Sequence, residues 1–274
     1  MIISKGIQDL PSKDLIYGIE GVGKTSLAST YPTPIFIDCE GSTSKLDVSR
    51  LEVKNYESFK TAVKLICSAE CDSFKSVVID TTDWLENIVI GQILKEDDAK
   101  TITDKRHYSF GAGDKRIEEF FRTKIIPSFE FIMKQGKNIV LVSHAHIKGV
   151  DDPVVGRYDH YTLKMGKTAS AVLKEWVNNV FFMNYEVNIK KNYGIGKDTA
   201  TGGKDVFVYT QRTPQYNAKR RDKLADKIRF AEGVNPYPQI IGVKPKDKED
   251  VEKTTLLEVI SEPKEDVKGF KKES

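Results

Sequence analysis

Along this chain short apolar runs bounded by turn residues alternate with longer segments of helical period, the pattern of parallel strands joined by crossover helices. The expected fold class is therefore α/β, with a mostly parallel central sheet flanked by helices. Strands are predicted at 14–17, 34–38, 76–80 and 138–143, each Val/Ile-rich as a strand buried on both faces should be. Two further runs, 179–186 and 205–211, flank a Gly/Thr-rich connection and predict an antiparallel pair at the sheet edge. Helices are expected at 24–30, at 57–69 with Phe59, Val63 and Ile66 on one face, at 83–95, and at 115–135 with a kink at Pro127. From Val243 onward the chain mixes both charges with prolines and offers only Leu256, Leu257, Val259 and Ile260 as an apolar cluster. The division that follows is an arm over 1–13, an α/β domain over 14–241 and a charged, flexible tail over 242–274.

Composition changes this picture little. At 274 residues the chain is long enough to bury a full core without covalent staples. Its 43 Lys and Arg nearly balance 40 Asp and Glu, so the net charge of +3 argues for no particular partner, and any argument about nucleic acid has to be local. The odd set of cysteines, Cys39, Cys67 and Cys71, and the lack of a long apolar span predict a reducing, cytoplasmic setting and no membrane partner.

The run Gly18-Ile19-Glu20-Gly21-Val22-Gly23-Lys24-Thr25 matches the P-loop pattern and lies between an apolar strand and a helix, the context that makes the match specific. Its glycines let successive backbone N–H groups turn inward around a phosphate, and the helix that follows, with Ser26 in its first turn, presents its positive end to the anion. Lys24 is expected on the β- and γ-phosphates of ATP, and the Thr25 hydroxyl on Mg²⁺. Asp80 ends the apolar run Ser76-Val77-Val78-Ile79 and is expected beside the same metal ion.

The residues after the next strand, Asp38-Cys39-Glu40, carry a resemblance. They are similar to the Asp-Ala-Glu run that ends the corresponding strand of RecA-like ATPases, whose glutamate activates the attacking water. The resemblance implies that role for Glu40. The strand 139–143 followed by His144 is similar to the RecA strand that senses the γ-phosphate, and the small phage recombinases of the single-strand-annealing Sak group, which this chain resembles more closely, carry a histidine there. His144 is the implied sensor. His146, two residues on, shares its strand face, but no third ligand completes a metal set.

RecA places DNA-binding loops where this chain has 104–116, with Arg106, Tyr108, Phe110 and Lys115, and 147–168, with Lys148, Arg157, Tyr158 and Lys164. Cations interleaved with aromatics suit single-stranded DNA, although Asp151, Asp152 and Asp159 dilute the second loop. Lys219 and Arg221 match the Lys-x-Arg pair that RecA-like assemblies direct at a neighbouring subunit's γ-phosphate. The resemblance thus implies a RecA-like core, Mg²⁺-dependent ATP hydrolysis stimulated by DNA, a homo-oligomer with shared ATP sites, and a partner such as a single-strand-binding or annealing protein. A loader or adaptor that uses ATP to grip another protein is the alternative of a different class. A small-molecule kinase is weaker, for want of an Arg-rich lid.

Overall fold

The computed structural model describes residues 5, 10–190, 199–221 and 224–231. The arm is therefore described only in part, and the tail over 242–274 lies outside the described residues. The P-loop strand β1 (Lys13–Gly18), β2 (Pro34–Asp38), β3 (Ser49–Glu52), β4 (Ser76–Asp80), β5 (Asn138–Asp152), β7 (Asn179–Lys190), β8 (Thr199–Tyr209) and β9 (Lys227–Phe230) join in the order β3-β2-β4-β5-β1-β7-β8-β9, and β6 (Gly156–Leu163) pairs with β5 alone. From β3 to β7 the pairings are parallel, and β7-β8-β9 are antiparallel. One strand, β5, separates the P-loop strand from the strand of Asp80.

Period-2 alternation explains why these strands read as unbroken apolar runs. Leu15, Tyr17, Ile35, Ile37, Val77, Ile79, Ile139, Leu141 and Phe182 face one core, while Ile16, Phe36, Val78, Val140, Val142, Phe181 and Met183 face the other. Into the first core pack α2 (Tyr56–Ile66), α3 (Thr82–Glu96), α4 (Ala112–Phe120), α5 (Ile126–Met133) and α6 (Lys167–Trp176); into the second packs the short P-loop helix α1 (Lys24–Ala28). Both faces are covered, so water reaches the parallel sheet only at its ends.

The helix expected over 115–135 runs through a π turn, Phe121–Ile125, directly into α5, which carries Pro127 in its first turn, so the irregularity falls just before the proline at which a kink was expected.

Four elements were not anticipated. β3 is a half-exposed edge strand of Ser-Arg-Leu-Glu, too polar to stand out. β9 is likewise short and half exposed. The apolar face of α6, made by Ala169, Val172 and Leu173, falls between the loop expected over 147–168 and the strand expected from 179, where the short apolar run predicted no element. Most consequential, β5 runs nine residues past Ser143 and turns back as β6, so most of 147–168 is a two-stranded hairpin rather than an open loop. Only the base of the hairpin is anchored in the core, through Leu163 and half-buried Tyr161, while Val154 and Val155 at its tip are exposed, so its sequence shows no continuous apolar face.

Candidate nucleotide site

Strand register brings the site together. Gly18 lies beside His144, Asp38 beside Asp80, and Asp80 beside Val142, so the functional ends of β1, β2, β4 and β5 open on one edge of the sheet. This is the crevice in which open α/β sheets bind ligands.

Within the P-loop, Gly21 and Gly23 adopt positive φ values of 73° and 91°, which a side chain would strain. Gly23 has a second constraint, since a Cβ there would lie 3.1 Å from the Phe230 ring of β9. Lys24 is buried, and its ammonium donates to the Ile19 carbonyl at 2.9 Å. Burial pushes its pKa down, against the opposing pull of Asp80, Asp83, Glu40 and Glu20. The lysine is therefore held inside the loop, facing a ring of carboxylates.

Thr25 Oγ1 donates to Asp80 Oδ2 at 2.9 Å, and the second oxygen of Asp80 is buried with no hydrogen-bond partner. Burial, only partly offset by the Thr25 hydrogen bond, raises the Asp80 carboxyl to about 6. An orphaned carboxylate oxygen next to a threonine hydroxyl is a hard-oxygen donor set of the kind Mg²⁺ takes, so the residues present fit that ion. The Asp80-Thr81 peptide is cis.

Asp38 shapes the loop that carries Glu40. Its carboxylate accepts the N–H groups of Glu40 at 3.2 Å and Gly41 at 2.6 Å, and the other oxygen takes the Thr43 hydroxyl. Glu40 Oε1 then stands 3.9 Å from His144 Nε2, while His144 Nδ1 is 2.9 Å from Asp83 Oδ2 and the His144 N–H donates to Asp83 Oδ1 at 3.1 Å. The result is a chain Glu40–His144–Asp83 along the crevice. The Asp83 hydrogen bond raises the His144 pKa despite burial. Asp83 itself is held below the usual carboxylate range, the bonds from His144 outweighing the cost of burial, whereas burial pushes Glu40 up. Asp83 was missed as a functional residue: its place in the first turn of α3, three positions after Asp80, was the available signal, and it was read only as a helix start.

The remaining candidates are scattered. Tyr108 is buried and its hydroxyl donates to Asp97 at 2.8 Å, so it offers no face for a base, contrary to expectation. Arg106 pairs with Asp104 at 3.4 Å, Phe110 is fully exposed at a φ of 53°, and Lys115 lies exposed on α4. On the hairpin, Val150 opposes Tyr158 and Lys148 opposes His160, which sets Lys148 and Tyr158 on one face; Arg157, opposite Asp151, takes the other and lies over Gly149. Lys164 belongs to a different place from the one expected. Its N–H donates to the His144 carbonyl at 2.8 Å and its ammonium is 3.7 Å from Glu20 Oε1, so it stands beside the P-loop.

Lys219 donates to the carbonyls of Lys174 and Glu175, where it caps the last turn of α6, and Arg221 follows through its backbone bond to Asn179. Asn179 pairs with Asp14 at the opposite end of β1 from Gly18. Four residue steps along the strand separate the two ends, about 13 Å. Neither cation is placed at the P-loop of its own chain.

A family model described as AAA domain matches residues 11–221. Comparison with curated proteins found no match. Among solved structures, the crystal structure of the RadB recombinase is similar with 14% identity over 70% of this chain and 81% of that one, at a TM-score of 0.34, a likeness too weak to carry any argument. Among the described residues no helix is long and apolar enough to cross a membrane.

Proposed function

The chain belongs to the AAA domain family, and on that premise we propose that it is an ATP-hydrolysing recombination protein of the RecA-like phage type, acting on single-stranded DNA in the cytoplasm. The observation that carries the ATPase part is the pairing of Thr25 with a half-orphaned Asp80 next to the Glu40–His144–Asp83 chain. Lys24 and the P-loop amides hold the β- and γ-phosphates. Mg²⁺, when bound by Thr25 and Asp80, neutralises charge that develops on those phosphates. Glu40 accepts the proton of the attacking water, its raised pKa bringing it nearer the working pH. His144, fixed in tautomer and direction by Asp83, stands between that carboxylate and the strand that continues into the hairpin, and so reports the state of the γ-phosphate to it.

Support for the DNA part is the hairpin itself, which carries Lys148, Arg157 and Tyr158 outward from the sensor strand, with Arg106, Phe110 and Lys115 as further contacts. Lys219 and Arg221, remote from their own P-loop, suit a contribution to a neighbour's site in a homo-oligomer. The adaptor reading has one observation in its favour: Val154 and Val155 at the hairpin tip, with Ile147, are exposed apolar side chains fitted to a protein such as a single-strand-binding or annealing partner. Hydrolysis measured with and without oligothymidylate separates the two. The recombination reading expects stimulation of about tenfold or more, with a salt-dependent midpoint. Hydrolysis indifferent to DNA and raised only by a protein partner would replace it with the adaptor.

A further inference from the structure

On the face of the hairpin that carries Lys148 and Tyr158, a cavity of about 380 Å³ lies between β5-β6, helix α6 and the segment after β8. Lys148 lines it from the hairpin, Lys167 and Lys174 from α6, and Arg212 from beyond β8. Two of the four come from α6 because positions 167, 170 and 174 share one helical face, with the buried Ser170 between them. No aspartate or glutamate is among the lining residues.

Nor do acids outside the cavity compensate these cations. Among the described residues, none of the four forms an ion pair with a carboxylate, although twelve Lys or Arg contacts with carboxylates occur elsewhere among them. Asp152 comes nearest in effect. Its carboxylate accepts the N–H groups of Val154 and Val155 and feels Arg212, without pairing with it. The strain of this arrangement shows at half-buried Lys174, whose pKa is lowered first by burial and then by Arg212 and Lys148. Cations gathered in a concave site without counter-charge repel one another and destabilise the free protein, a cost that a bound anion removes.

Size and charge narrow the anion. The cavity is within the range that holds a small ligand rather than a lone ion. Four cations exceed the single charge of one phosphodiester and suit an anion carrying more than one phosphate. Tyr158 at the rim adds an aromatic face for an attached base. We propose that this cavity is a second phosphate site, distinct from the P-loop, which takes adjacent phosphate groups through Lys148, Lys167, Lys174 and Arg212. Those phosphates belong either to a nucleotide's oligophosphate or to successive linkages of a single strand. The site shares Lys148 and Tyr158 with the DNA reading above, so its single-strand arm rests on that reading while its oligophosphate arm does not.

The test is calorimetric titration of the full chain with its P-loop saturated by MgADP, using pyrophosphate in one arm and oligothymidylate in the other. At least one should bind, and the Lys174→Met/Arg212→Gln variant should bind it at least about tenfold more weakly, with basal ATP hydrolysis unchanged. The same variant without ligand should melt no lower than wild type, because repulsion has been removed. Lys167→Gln, an exposed substitution in the first turn of α6, should weaken binding about threefold and covers the case in which the double variant fails to fold. Binding of pyrophosphate alone identifies a nucleotide-type anion and keeps the pocket even where DNA fails to stimulate hydrolysis. Binding of the oligonucleotide alone identifies a strand. No binding of either by wild type, or equal binding by Lys167→Gln, overturns the proposal.

Discussion

Lys24→Ala should reduce ATP hydrolysis by about 10³-fold or more, to the limit of detection, while leaving the fold intact. The size of the effect follows from the company Lys24 keeps. Its ammonium faces Asp80, Asp83, Glu40 and Glu20, so without it a highly charged nucleotide would meet those carboxylates with no ammonium to offset them. Other cations near the loop do not substitute. Lys164 stands beside the P-loop but is exposed and paired with Glu20, and Lys219 and Arg221 occupy the far end of the strands. The structural cost is small by comparison: one hydrogen bond to Ile19, in a helix start whose backbone bond from Leu27 to Gly23 remains. Phosphate release and fluorescent-nucleotide binding, measured on the same preparation, check this. A folded variant that hydrolyses ATP at the wild-type rate would remove the P-loop from the reaction.

What the sequence conveyed was whatever local chemistry alone dictates. Strands β2 and β4 were legible to the residue because each is apolar throughout and ends abruptly in Asp38 or Asp80. The P-loop was legible because three glycines, a lysine and a threonine have few other uses at that spacing. The hairpin was not, since beyond Ala145 its strands pair with each other, apart from a bridge from Tyr161 to Tyr216, and carry many polar residues. Tyr108 looked like a stacking residue among cations, yet its burial depends on Asp97, a partner eleven positions away that no periodicity reveals. Asp83 is the converse case. Its pairing with His144 crosses sixty-one positions of sequence, and only the parallel register of β4 and β5 makes them neighbours. The antiparallel register of β5 and β6 explains Lys164, which lies among cations by sequence but returns with β6 to the carbonyl of His144.

Glu40→Gln should leave nucleotide binding within about twofold of wild type and lower turnover by about 10² to 10⁴-fold. Glutamine keeps the length of the side chain and a hydrogen-bonding oxygen, and the loop that presents it is fixed by Asp38 through Gly41 and Thr43 rather than by Glu40. What is lost is basicity, at a position where burial has already raised the carboxyl pKa in preparation for taking a proton. A structural role for Glu40, as partner of His144, predicts something different. The contact between them is 3.9 Å, long for a strong ion pair, so its removal alone should cost little. Asp83→Asn supplies the comparison, because Asp83 touches His144 at 2.9 Å and no nucleotide atom is needed for that bond. In that variant the His144 pKa, raised by Asp83 in the native protein, should fall when followed by NMR titration, and turnover should drop by only about tenfold, as for a positioning residue. Single-turnover measurements on both variants decide the matter: if Asp83→Asn slows chemistry as severely as Glu40→Gln, the histidine pair rather than the glutamate carries the proton, and if Glu40→Gln turns over normally, Glu40 has no part in activating water.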